Sequence, residues 1–151
     1  MIKVQSEPFE VGTELDRLKA GRTDIGGTAL FVGSVRDLSV GKDVSAMTLE
    51  HYPGMTEAAL AEIEAEARKR WPLQDVLVVH RYGRLLPGED IVLVITAAAH
   101  REAAFQACAF LMDFLKTRAP FWKLEEGAAG QQWVDAKDSD DMAALRWEKH
   151  P

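Results

Sequence analysis

An apolar helical run, cut by a proline and bracketed by lysines, constrains this chain more than any other feature. Residues 101–115 are largely apolar and pass into Leu115-Lys116-Thr117-Arg118-Ala119-Pro120-Phe121-Trp122-Lys123. Proline lacks an N–H, and its ring clashes with the carbonyl four residues back, here that of Lys116, so the helix must stop. Ala119 is pushed to an extended conformation by the ring that follows it. Lys116 is therefore expected in the last helical turn and Lys123 on an extended segment. On a strand over 121–126, Phe121, Lys123 and Glu125 share one face, and Trp122 and Leu124 the other. Lys116, Arg118 and Lys123 then gather at one helix-to-strand corner beside two aromatic rings, which suits an anionic ligand with a flat ring system. The opposing reading is that such lysines merely complement a helix dipole or stay solvated. Both are read as lacking an acidic partner nearby, which favours a chemical role.

The helix itself carries a second constraint. Ala104, Ala107, Cys108, Leu111 and Leu115 form one stripe, while Phe105, Phe110, Met112 and Phe114 lie off it. A helix apolar nearly all round is buried on several sides, so it is expected to pack on a sheet and also against a partner subunit. At about 25 Å long, it separates His100-Arg101 from Lys116. One chain would not easily bring both ends to one small ligand, whereas a dimer could.

The remaining elements follow in order. Residues 2–9 read as a strand and 14–20 as a short helix with Thr13 as N-cap and Gly21 beyond its end. Residues 26–35 (GGTALFVGSV) form a buried strand in which Gly33 marks a bulge or a close approach to the backbone. Arg36 stands where that strand meets the polar loop 37–43. A strand over 44–51 runs into the turn Tyr52-Pro53-Gly54, and Thr56 caps a helix to about Arg70. Leu60, Ile63, Ala67 and Trp71 form its buried stripe, and Glu64–Arg68 and Glu66–Arg70 are i,i+4 pairs on its wet side. Residues 75–82 and 91–98 are strands joined through Pro87-Gly88. After Lys123 come a hairpin loop over 127–130, a strand over 131–136 and a short helix over 142–149. The order is roughly βαββαββαββα, an α+β domain with a mixed or antiparallel sheet and two main helices, expected as one domain over 1–151.

Composition narrows the function. The 151 residues are 47% hydrophobic and 28% charged, as in an ordinary globular protein. No run approaches the roughly 18 apolar residues of a membrane span, and the polar N-terminus shows no signal-peptide pattern. The one cysteine, Cys108, has no partner for an internal disulfide, which fits a reducing cytoplasm; buried in a helix, it is expected to pack rather than react. A net charge of −6 argues against a nucleic-acid polymer as partner. Between His100 and Lys123, however, four basic residues face two acidic ones, so the local site is cationic and fits a small anion.

His51, His80, His100 and His150 show no metal-ligand spacing, and no metal or cofactor is expected. Neither a glycine-rich nucleotide loop nor a GxSxG elbow is present. What remains is a cationic set: Arg36, His100, Arg101, Lys116 and Lys123. His100-Arg101 begins a helix whose N–H groups attract anions. Phe31, on the glycine-bearing strand, reads as core, with pocket wall as the competing role.

The runs Thr48-Leu49-Glu50-His51-Tyr52-Pro53-Gly54-Met55, His100-Arg101 and 115–123, with the PG-containing hairpin over 86–90, closely resemble the molybdopterin synthase catalytic (large) subunit family. The resemblance covers about residue 8 to Trp147. It implies an α/β-hammerhead-like fold, a homodimer, and a small ubiquitin-like sulfur-carrier subunit with a C-terminal Gly-Gly thiocarboxylate, giving a heterotetramer. It implies a sulfurtransferase that converts cyclic pyranopterin monophosphate, a pterin phosphate, to molybdopterin in molybdenum cofactor biosynthesis. By position it implies that Lys116 and Lys123 are catalytic, and that Ser34, Val35, Arg36, His100 and Arg101 bind substrate together with the two lysines. Lys137 stands where the resembling WVEAR-like segment has arginine, so a point-charge ammonium replaces a bidentate fork in the pocket wall. The alternative is a non-catalytic anion-sensing or scaffold domain that docks a ubiquitin-like partner.

Overall fold

The computed structural model describes residues 1–36, 38–39, 42–127, 130–134 and 138–148, with side chains described outside 38–44 and 127–141. In chain order the elements are β1 (Ile2–Gln5), α1 (Val11–Lys19), β2 (Gly27–Ser34), β3 (Leu38–Ser39), β4 (Lys42–His51), α2 (Met55–Arg70), β5 (Leu73–Arg81), β6 (Gly83–Leu85), β7 (Asp90–Ala98), α3 (Arg101–Arg118), β8 (Phe121–Gly127), β9 (Gly130–Val134) and α4 (Asp138–Leu145). The α+β class and mixed pairing match the expectation. β3 and β6 are additions, short strands inside stretches that read as a polar loop and a turn.

Two sheets organise the chain. The first has the order β1-β5-β7-β2, and the second joins β3-β4-β8-β9 with β6 on β4. β1 runs parallel to β5, whereas β5 and β2 each run antiparallel to β7, which lies between them. β5 and β7 are apolar at nearly every position because both faces of their sheet are covered. Val76, Val78, Val92 and Val94 join the core under α2 and α3, while Leu77, Val79, Leu93 and Ile95 pack under α1. Truncating a fully buried residue such as Ile95 to alanine costs about 2–5 kcal/mol.

The core pins α3. The buried Thr96 hydroxyl on β7 donates to the Ala104 carbonyl at 2.6 Å. Phe110 and Phe114, off the main stripe, are covered within the chain and need no partner subunit, which corrects the reading for those two residues. Phe110 and Phe114 are buried within the chain, with Trp71 and Trp147 edge-on to Phe110 at 5.3 and 5.5 Å. The helix α2 and the segment after α4 cover this second side, and of Phe105, Phe110, Met112 and Phe114 only Phe105 is exposed. The bulge at Gly33 is present as a register shift between Gly33 and Ser34. A Cβ there would meet Val92 Cγ1 at 2.7 Å and the Phe31 ring at 3.3 Å.

Candidate functional site

The proline corner forms as expected. Ala119 is extended (φ −75°, ψ 126°), and Phe121 N–H donates to the Ala119 carbonyl at 2.9 Å, closing a tight turn about Pro120. Lys116 is exposed in the last turn of α3, and Lys123 lies on β8. Arg118 does not join them. Two positions on from Lys116 it points around the helix by roughly 200°, and its guanidinium sits over the Phe114 ring at 4.1 Å and 3.9 Å from Glu148. It edges a groove of about 500 Å³ lined by Glu62, Glu66, Arg70, Phe110 and Phe114.

A second correction concerns Lys123. Glu125 shares its strand face and pairs with it at 3.3 Å, the carboxylate side chain being only 12% exposed. The i,i+2 spacing that aligns the two side chains also supplies the acid the sequence reading left out.

The antiparallel β4–β8 ladder sets what surrounds the lysines. It pairs His51 with Phe121, Leu49 with Lys123 and Met47 with Glu125. The end of β5 adds His80, whose ring stacks on Phe121 at 3.8 Å and 18°. His80 Nδ1 lies 2.8 Å from the Arg81 carbonyl, which can only accept, so Nδ1 carries the proton and Nε2 keeps a lone pair. Burial, with lesser contributions from the charges of Lys116 and His51, pushes the His80 pKa down to about 4, against an upward pull from its backbone bond. The imidazole is neutral near pH 7. His51 in turn packs on Tyr82 at 4.2 Å, with Nε2 3.7 Å from Glu57. Sequence reasoning set both histidines aside as scattered, because only strand pairing across the chain brings them to the corner. For His51, its place in the LEHYPGM run was the available signal; for His80 there was none.

The glycine-bearing strand approaches from beside. Ser34 Oγ donates to Asp90 at 2.7 Å, and Val35 is closed by backbone bonds to Glu89 and Gly88 at 2.9 and 2.8 Å. Buried Val35 packs in one cluster with Met47, Leu49 and Leu85, one residue layer from the Lys123 strand. Exposed Arg36 follows directly. Phe31 is 43% exposed, so it is not core. It sits on an edge strand, and Gly33, two residues on along the same face, leaves its ring room.

His100 and Arg101 are not part of this cluster. His100 is the extended N-cap of α3 (φ −130°, ψ 146°), and both side chains are exposed. Fifteen residues of helix put Arg101 roughly 22 Å from Lys116 along the axis. They also lie at the other end of β2 from Ser34 and Arg36: Gly27 pairs with Ala98 and Ser34 with Asp90. A Cβ on Gly27 would sit 3.2 Å from Arg101 Cα, and one on Gly26 only 1.9 Å from the Ala99 carbonyl oxygen. Lys137 lies outside the described residues. Among the described residues no His, Cys, Asp and Glu cluster could hold a metal. No helix is long and apolar enough to cross a membrane. Burial pushes the Cys108 thiol up to about 11, which opposes a nucleophilic role.

Fold and site together define a class: an α+β protein with a lysine on either side of a helix-to-strand corner that also carries a neutral imidazole and aromatic rings. Residues 4–118 match the family model for the MoaE protein. The molybdopterin synthase catalytic subunit of Pseudomonas aeruginosa is 56% identical over 148 residues, 98% of this chain and 99% of that one. The molybdopterin biosynthesis MoaE protein from Burkholderia ambifaria superposes with a TM-score of 0.85 at 53% identity, covering 98% of this chain and 97% of that one. A protein–protein complex of subunits 1 and 2 of the molybdopterin-converting factor from Helicobacter pylori shares the fold, with a TM-score of 0.72 at 18% identity over 91% of this chain and 90% of that one. This chain belongs to the MoaE protein family.

Proposed function

We propose that this chain is the catalytic subunit of a molybdopterin synthase, a sulfurtransferase that makes molybdopterin from cyclic pyranopterin monophosphate with the thiocarboxylate of a ubiquitin-like carrier as donor. The observation that carries the reading is the corner: Lys116 and Lys123 on either side of Pro120, walled by Phe121, neutral His80 and His51. Both reactants are anionic. Two unit charges 4 Å apart repel by roughly 4 kcal/mol at an effective dielectric constant near 20. Fixed ammonium groups offset that repulsion and stabilise charge that develops as sulfur changes partners. A lysine there also supplies a proton, or an amine, when the glycyl carbon loses its sulfur. Glu125 holds Lys123 in one place.

The phosphate end of the substrate falls to His100-Arg101 of a second copy. Within one chain these residues stand at the far end of α3, and a two-fold interface is self-complementary. Exposed Leu30 and Phe31 on the edge strand β2, and Phe105 on α3, are apolar surface for such a contact. Two such chains with two carriers give a heterotetramer, working in the cytoplasm. Ser34, Val35 and Arg36 line the substrate path beside the Lys123 strand.

Product formation from the pyranopterin precursor and thiocarboxylated carrier is the direct test. A carrier with a reactive C-terminus should label Lys116 or Lys123, since a Gly-Gly tail can thread a narrow channel. Labelling confined to Lys3 or Lys19 counts against the site. Wild-type turnover in both lysine variants would favour the scaffold reading.

A further inference from the structure

We propose that Thr56 is a positioning residue for the sulfur-transfer site, setting the geometry between Lys116 and Lys123 through the Pro120 carbonyl. The inference rests on the two-lysine reading above.

Thr56 is fully buried at the start of α2. A threonine there would ordinarily cap its own helix, as the sequence suggests, but that task is done by other groups. Gly54 precedes the helix at φ 85°, where only glycine is relaxed, and the Glu57 carboxylate accepts from Gly54 N–H at 2.6 Å. The Thr56 hydroxyl is spent elsewhere. It accepts the Tyr52 N–H at 3.1 Å and donates its one proton to the Pro120 carbonyl at 3.1 Å. One buried oxygen thus joins the end of β4, the start of α2 and the corner between α3 and β8.

That carbonyl is where control is needed. The β4–β8 ladder begins at the His51–Phe121 pair, so Pro120 lies one residue outside it. Proline fixes its own φ but not its ψ. Rotation about that ψ swings β8, and Lys123 with it, relative to α3 and Lys116. The bond from Thr56 acts with the Phe121-to-Ala119 backbone bond to hold the Pro120 carbonyl in one plane, which selects one arrangement of the two ammonium groups. A misplacement of about 1 Å in a reacting constellation can cost 10²-fold.

The test compares Thr56→Val, which keeps the shape and removes both bonds, with Thr56→Ser, which keeps the hydroxyl. Both are assayed with the carrier present, with rates normalised to folded protein by circular dichroism, and Lys116→Ala run alongside. Thr56→Val should lose about tenfold or more in kcat, with KM for the precursor within about twofold. The pH profile of kcat should differ from that of wild type, because the two side chains no longer meet the reacting atoms in the same arrangement. Thr56→Ser should stay within about threefold of wild type and keep the wild-type profile. If Thr56→Val does not fold, Thr56→Cys takes its place with the same thresholds. A variant with lowered thermal stability but wild-type kcat and pH profile overturns the proposal, leaving Thr56 a packing residue. Loss in Lys116→Ala with none in Thr56→Val overturns the proposal alone. Wild-type turnover in Lys116→Ala overturns the lysine reading beneath it, and the proposal with it.

Discussion

The two ends of α3 are built differently. At its C-terminal end, Lys116 sits in a worked corner: Pro120 stops the helix, Thr56 bonds the turn, Phe121 stacks on His80, and Glu125 pairs with Lys123. At its N-terminal end, His100 and Arg101 are exposed, and the backbone of Arg101 lies so near Gly27 that a Cβ there would sit 3.2 Å from Arg101 Cα. Arg101 and Lys116 carry charge of the same sign on one helix, yet Lys116 adjoins a packed corner, close enough for its charge to act on His80. Under the proposed function, the helix is a spacer between halves of different sites, a packed corner at one end and an exposed cationic pair at the other.

The contrast can be broken most directly at the finished end. Lys116→Ala and Lys123→Ala should each lower turnover by about 10²–10⁴ with folding retained, as circular dichroism and single-turnover sulfur transfer would show. Near-wild-type transfer in both would make the corner ornamental. Joining the two ends is the next test. Inactive Arg101→Ala and Lys116→Ala chains, mixed with random exchange, should regain about a quarter of wild-type activity, because each heterodimer keeps one site with both groups intact. No recovery, with exchange verified by native mass spectrometry, would show that each site is made within one chain.

Protonation sharpens the comparison further. His80 in the folded chain titrates near 4, against about 6.5 when unfolded. Below pH 6.5 the unfolded chain binds a proton that the native chain refuses, so stability is full above that pH and falls as pH drops towards 4. Melting temperature should therefore decline between pH 6.5 and 4.5, and His80→Gln should flatten that decline. An equal slope in the variant would assign it to other groups. The smallest effect is expected at Arg118, which lies over Phe114 and away from the lysines. Arg118→Ala should change kcat by less than about twofold and stability by roughly 0–1 kcal/mol.

How much of this was legible follows from distance along the chain. Pro120 acts on its immediate neighbours, so the corner, the extended Ala119 and the alternation of 121–125 could be read directly. The bulge at Gly33 and the pairs Glu64–Arg68 and Glu66–Arg70, at 3.0 and 3.2 Å, are equally local. Family resemblance supplied the substrate and carrier, which no spacing contains. The misses all depend on partners brought from afar. Thr56 reads as a cap until β8 arrives beside it, and His80 as scattered until it meets Phe121, forty-one positions later. Phe110 and Phe114 suggest a subunit interface only while the segment around Trp147 is left unplaced. Phe31 was misjudged because nothing local says that β2 is an edge.

The parallel pairing of β1 with β5 has a consequence for how the protein is made. Ile2 pairs with Val78 and Val4 with His80, so each contact spans 76 residues. A ribosome adding about 5–20 residues per second leaves β1 without its ladder for roughly 4–15 s. During that interval its N–H and C=O groups are served by water or by a chaperone. The sheet cannot close until α2 and then β5 have emerged. A slow codon cluster between α2 and β5 would lengthen that exposure, and the order of synthesis, rather than native stability, would then set the yield.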